Sequence, residues 1–179
     1  MGITKTNFPK IKRDLLDTLQ INIGYKCNQA CSHCHVDASP SRTEMMSDNI
    51  IKLIPKVIQA NNIKLLDITG GAPELHPKFK QLVKEVRSLN VEVMDRCNLT
   101  ILTEPGYENL ASFLASNKVQ ITASLPYYLE GNVDKQRGKG VFEKSILALK
   151  QLNAYGYGIK DKGLVLNLVY NPSGPQLPP

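Results

Sequence analysis

Five short apolar runs recur along the chain and constrain its fold more than any other feature: LQINIG (19–24), IKLLDI (63–68), VEVM (91–94), VQITA (119–123) and LVLNLVY (164–170). Each is rich in Leu or β-branched residues and has the length of a buried strand. The segments between them have helical spacing. Met46, Ile50, Leu53, Ile54, Val57 and Ile58 share one face behind Ser47, a candidate N-cap, and Pro55 is expected to kink or shorten that helix. Phe79, Leu82, Val83, Val86 and Leu89 follow Pro77, which suits a first helical position. Tyr107, Leu110, Ala111 and Leu114 form a third stripe, and Phe142, Ile146, Leu149 and Leu152 a fourth. Strands alternating with helices require right-handed crossovers and a parallel sheet. The expected fold is therefore α/β, either an open sheet or part of a (β/α) barrel.

In both architectures ligands collect at the C-terminal ends of the strands. That rule brings four segments to one rim: GYKCNQACSHCHV (24–36), TGGAPEL (69–75), DRCNLT (95–100) and SLPYY (124–128). After the fifth run the chain ends in NPSGPQLPP with no helix to cover the sheet. A parallel sheet needs both faces covered. The expected organisation is an N-terminal extension (1–18), an incomplete core domain (19–170) and a Pro-rich linker (171–179) leading to a further C-terminal domain. The alternative is a small open sheet with a Pro-rich tail.

The 179 residues, 42% hydrophobic and 21% charged, suit a globular domain. No run of about 18 apolar residues is present, so no membrane-spanning helix is expected. The N-terminus lacks the apolar stretch and cleavage site of a secretion signal, which points to a cytoplasmic protein. Twenty-two Lys and Arg against sixteen Asp and Glu give a net charge of +6. These charges are scattered, with no basic block and no aromatic ladder, a pattern that favours an anionic ligand over nucleic acid.

Cys27, Cys31 and Cys34 follow C-x3-C-x2-C on the loop after the first strand. In a reducing compartment, thiols so spaced are metal ligands or active groups rather than disulfides. Three thiolates suit zinc or an iron–sulfur cluster and leave one coordination position open. His33 or His35 can supply a fourth ligand, so a zinc-binding interaction module using Cys27, Cys31, Cys34 and His35 is the competing reading.

CNQACSHC in this position resembles the signature of the radical S-adenosylmethionine (SAM) superfamily, whose fold is a partial TIM-type barrel. The resemblance implies that Cys27, Cys31 and Cys34 hold three irons of a [4Fe–4S] cluster, with SAM chelating the fourth. It further implies one-electron cleavage of SAM to a 5′-deoxyadenosyl radical, with flavodoxin or ferredoxin as donor. His33 stands where the family often has an aromatic residue against the adenine. TGGAPEL resembles the family's glycine-rich motif, placing Gly70 and Gly71 near the SAM amino group and Glu74 at its acidic position. Taken alone, the two glycines read equally as a turn. Asn98 and Ser124 match positions that contact the SAM carboxylate or ribose, or else cap strand ends. Arg137, in NVDKQRGKGVF, matches an arginine suited to the SAM carboxylate, or is a surface residue of a Gly-rich loop.

DRCNLT, LVYNP and the Pro-rich end narrow the likeness to the arsenosugar biosynthesis radical SAM family. That resemblance implies addition of the 5′-deoxyadenosyl radical to a methylated arsenical. Trivalent arsenic is thiophilic, so Cys97, the one thiol outside the loop, is a candidate arsenic ligand; as a buried residue type it also suits the core. Tyr127 stands where that family often has a second cysteine. A radical SAM enzyme acting on another substrate, such as a peptide, is the enzymatic alternative.

Overall fold

The structure is a computed structural model that describes Pro9, Ile11, Lys12 and Asp14 to Asn171. The expected linker lies outside the described residues apart from Asn171, and the expected N-terminal extension is described only in part.

All five expected strands form. They are β1 (Thr18–Asn22), β2 (Leu65–Thr69), β3 (Glu92–Asp95), β4 (Gln120–Ser124) and β5 (Leu166–Val169). They make one sheet in the order β1-β2-β3-β4-β5, every neighbouring pair parallel. Spatial order equal to chain order means that each crossover steps the same way. A doubly wound sheet would reverse at a switch point, whereas a (β/α) barrel steps on without reversal. The architecture is a partial (β/α) barrel.

Helices α1 (Asp48–Ile51), α2 (Ile54–Asn61), α3 (Phe79–Ser88), α4 (Leu110–Ser116), α5 (Glu130–Arg137) and α6 (Val141–Ala154) fill the connections. Leu66, Ile68, Val93, Ile121 and Ala123 point from the sheet towards the helices and are fully buried. Phe79, Leu82, Val83, Val86, Leu110 and Leu114 meet them from the helix side. Burial of each such large side chain contributes about 1.5–3 kcal/mol. On the opposite face the same strands carry polar residues. Register pairs Gln20 with Asp67 and Asn22 with Thr69, and Thr122 with Asn167. That polar face is the concave side.

Two helical stripes differ from expectation. Pro55 sits in the first turn of α2 and separates it from the single turn α1, so the periodicity restarts. Ile51, Ile54 and Ile58 are buried, while Ile50, Leu53 and Val57 are exposed. Ser47 occupies the N-cap position of α1 without a side-chain capping hydrogen bond. In α6 the deepest residues are Val141, Ser145, Ala148 and Leu152, one position from most of the expected stripe. Arg137 ends a helix, α5, rather than sitting in an open loop.

Candidate active site

The loop after β1 carries the three clustered cysteines and is tied down by its backbone. Cys27 N–H donates to Ser39 C=O at 3.1 Å, and Tyr25 N–H to Glu44 C=O at 2.9 Å. Its other anchor is the glycine pair. Gly71 N–H donates to Gly24 C=O at 3.0 Å and Ala72 N–H to Lys26 C=O at 2.9 Å. A Cβ on Gly70, whose φ is +154°, would stand 2.6 Å from Gly24 C=O; one on Gly71 would stand 2.5 Å from Lys26 C=O and 2.9 Å from Ala38 Cβ. Only glycine lets the two loops approach so closely.

The cysteine loop, the glycine turn and the ends of β3, β4 and β5 enclose a cleft of about 260 Å³. Cys27, Cys31 and Cys34 line it, and so do His33, Gly70, Gly71, Asn98, Ser124 and Arg137. His35 lines it too. Thus, with His35 counted, ten of the twelve residues that the sequence offers for metal, SAM or arsenic meet in one cavity. Glu74 and Cys97 are not among its lining residues. Both are buried on the helix side of the sheet, where Glu74, Asp95 and Cys97 have ligating atoms within 4.8 Å of one another.

A hydrogen-bond network holds the cleft wall. Arg137 Nη2 donates to Asn98 Oδ1 at 2.7 Å, and Nη1 donates to Ser124 C=O. Asn98 Nδ2 donates to Asn28 Oδ1 at 2.6 Å and lies 3.5 Å from Cys27 Sγ. The Arg137 guanidinium is buried and, among the described residues, has no carboxylate partner and an unpartnered Nε. A buried cation in that state is costly until an anion reaches it. Asp134 fixes the segment that carries it. Its carboxylate accepts N–H from Gly140 at 2.6 Å and from Phe142 at 2.9 Å, capping α6. These backbone donors hold the Asp134 carboxyl below the usual range. Burial, then the charge of Arg137, lowers His33.

The thiols are free. Burial pushes the Cys27 thiol up, a direction that bound metal would reverse. Their spacing tests the competing zinc reading. Zinc holds thiolates at about 2.3 Å, so its ligand atoms crowd to within about 4 Å of each other. Among the described residues, the potential ligands gathered to within 4.8 Å of one another are Glu74, Asp95 and Cys97, while the loop cysteines and His35 form no such set. The buried Arg137 Nε, without a partner among the described residues, suits a carboxylate-bearing cofactor in the same cleft.

Several lining residues were not foreseen, chiefly Arg96, Thr69 and Thr122. Their signal lies in period-two alternation within the apolar runs, where Asp67 and Thr69 or Gln120, Thr122 and Ser124 interrupt the hydrophobic pattern. Tyr127 and Tyr128 stack with ring centroids 4.8 Å apart, and Tyr170 stacks on Tyr127 at 5.5 Å, beyond the ends of β4 and β5.

A parallel partial barrel with three thiols and a buried arginine at its C-terminal rim defines a cofactor-binding α/β protein of the barrel class. The sequence profile of the Radical SAM superfamily matches residues 21–170, and the chain belongs to that superfamily. Members bind SAM and a [4Fe–4S] cluster, the two cofactors expected from the cysteine motif. The chain is 25% identical over 137 residues to the antilisterial bacteriocin subtilosin biosynthesis protein AlbA of Bacillus subtilis, a match covering 76% of this chain and 30% of the relative. It therefore spans about a third of that relative's length. The fold is similar to anSMEcpe with bound AdoMet, with a TM-score of 0.68 and 20% identity, covering 88% of this chain and 43% of the other. It is also similar to Streptococcus suis SuiB bound to the precursor peptide SuiA, with a TM-score of 0.64 and 17% identity over 79% of this chain and 31% of SuiB. Among the described residues no helix is long and apolar enough to cross a membrane.

Proposed function

We propose that this chain is the SAM-cleaving core of a radical enzyme that adds the 5′-deoxyadenosyl group to a methylated arsenical in arsenosugar biosynthesis. The observation that carries the radical chemistry is the meeting of Cys27, Cys31 and Cys34 with Asn98 and Arg137 in one cleft. Bound there, a [4Fe–4S] cluster with SAM would supply one-electron reductive cleavage of the sulfonium C–S bond, with methionine as the leaving group. The three thiolates would hold the irons. Arg137 would offer its free Nε to the SAM carboxylate, kept in place by Asn98 and Ser124, and His33 would flank the adenine. Gly70 and Gly71 hold the cysteine loop against β2, and the glycine backbone borders the cleft where an amino group can approach.

The arsenical assignment is supported by the DRCNLT and LVYNP strings. Cys97 is separated from the cleft by the sheet, so an arsenic ligand there would require movement of the β3 end. A peptide substrate is the second reading, favoured by the likeness to SuiB, which was captured with a precursor peptide.

The deciding experiment is anaerobic turnover of the reconstituted protein with SAM and a methylated arsenical, with products read by mass spectrometry. An arsenic-containing deoxyadenosine adduct is expected. Deoxyadenosine released at the same rate with or without the arsenical, and no adduct, overturns the arsenical assignment while leaving SAM cleavage intact.

A further inference from the structure

Among the described residues two guanidiniums line the cleft, those of Arg96 and Arg137, and no carboxylate does. Arg137 belongs to the wall formed by α5 and the β4 end. Arg96 stands apart from it on the concave face. Its backbone N–H donates to Ile68 C=O at 2.9 Å, which fixes its Cα beside the end of β2. Asp67, buried on β2, grips the side chain in a two-pronged pair: Nε donates to Oδ1 at 2.9 Å and Nη2 to Oδ2 at 2.8 Å. Gln20 Nε2 donates to the same Oδ2 at 2.6 Å, so the carboxylate is itself held from β1. One edge of the guanidinium is thus spent on the protein. The remaining nitrogen, Nη1, makes no protein hydrogen bond among the described residues, and the side chain stays 43% exposed.

We infer that Arg96 is the centre of a second anion subsite, which takes a compact oxyanion of the substrate: a carboxylate or an oxygen-bearing arsenical acid. The inference rests on the radical SAM reading, because it assigns the SAM carboxylate to Arg137 and leaves Arg96 for the second reactant. A gripped arginine is pre-organised: its rotamer is already fixed, so less ordering entropy is lost when an anion binds. Thr69 and Thr122 border the same cleft and add hydroxyl donors suited to an oxyanion. The exposed lysines do not share these properties, since solvent surrounds their ammonium groups.

The test uses the anaerobically reconstituted full chain with saturating SAM, so that Arg137 is engaged. Calorimetric titration is made with two probes, dimethylarsinate and N-acetylglutamate. Saturable binding of one of them is expected, with affinity reduced at least about tenfold in Arg96→Gln, the loss anticipated for one charge-assisted hydrogen bond. Which probe binds tells an arsenical acid from a peptide-like carboxylate. Because Arg96→Gln leaves Asp67 buried without its cation, Arg96→Gln/Asp67→Asn is measured alongside and should show the same loss in a protein with no stranded charge. Equal affinity in wild type and both variants, or saturable binding of neither probe, overturns the subsite. So does loss of the SAM-induced change in the electron paramagnetic resonance spectrum of either variant, which would move Arg96 to the SAM site. A wild-type spectrum that does not respond to SAM instead removes the radical reading itself, and is seen before any probe is added.

Discussion

Arg137 donates from Nη2 to Oδ1 of Asn98 at 2.7 Å, and through that amide the buried guanidinium is coupled to the cysteine loop, since Asn98 Nδ2 donates to Asn28 and lies 3.5 Å from Cys27 Sγ. The amide therefore joins the proposed carboxylate-binding group to a proposed cluster ligand. Asn98→Ala strands a buried cation and an Asn28 acceptor together. A loss of about 2 kcal/mol in urea unfolding is expected. Iron content should persist while the SAM-induced change in the reduced spectrum weakens. A variant with wild-type stability and an unaltered SAM response would show the coupling to be incidental.

Gly71→Ala should cost about 1–3 kcal/mol and lower iron loading, because the new Cβ meets Lys26 C=O at 2.5 Å, where backbone rather than a flexible side chain must give way. Gly131→Ala makes the comparison. Gly131 lies within α5, nothing stands within 4 Å of its prospective Cβ, and the change should stabilise by about 0.5–1 kcal/mol. Thermal melts and iron assays of the two variants decide the point; similar effects from both would contradict it.

Replacing any of Cys27, Cys31 or Cys34 by Ala should abolish iron and sulfide incorporation on anaerobic reconstitution. Cys97→Ala should incorporate both fully, with a stability cost of about 1 kcal/mol, because Cys97 packs on the helix side of the sheet. Loss of iron in Cys97→Ala alone would mean that this thiol reaches the cleft.

Asp95 carries the clearest pH dependence. Burial, then the neighbouring Glu74 charge, raises its carboxyl well above the usual range, and burial raises Glu74 as well. By distance and angle none of the four carboxylate oxygens is paired among the described residues, and a proton on Asp95 lets it donate to Glu74. The unfolded chain releases that proton above pH ~3.9, whereas the folded chain keeps it. Stability is thus greatest below the unfolded value and falls as pH rises towards the raised folded value. Asp95→Asn supplies a neutral donor to Glu74 at every pH. Its melting temperature should change less than wild type between pH ~5 and ~8 and be the higher of the two at the alkaline end. A wild-type protein that gains stability across that interval would refute the assignment.

The strands were legible because each apolar run is long enough to cross the sheet and too short for a helix, and all five stand within about two residues of their expected limits. The C-x3-C-x2-C spacing was legible because it is local: a thiol every three or four residues on one loop marks a ligand set before any tertiary contact forms. The helix-face errors at Ile50, Leu53 and Val57 have an equally local cause, since one proline restarted the periodicity.

Sequence by itself determined the alternation of strand and helix, the parallel sheet that follows from it, and the gathering of the cysteine, glycine, Asn98 and Ser124 segments at one rim, because chain direction alone sends every strand end of a parallel sheet to the same side. Tertiary structure decided which face of the sheet each residue serves. One position along the chain separates Arg96, in the cleft, from Asp95 and Cys97, in the core, where the turn after β2 brings Glu74 to meet them. That choice depends on which face the helices cover, and the covering surface comes from residues tens of positions away.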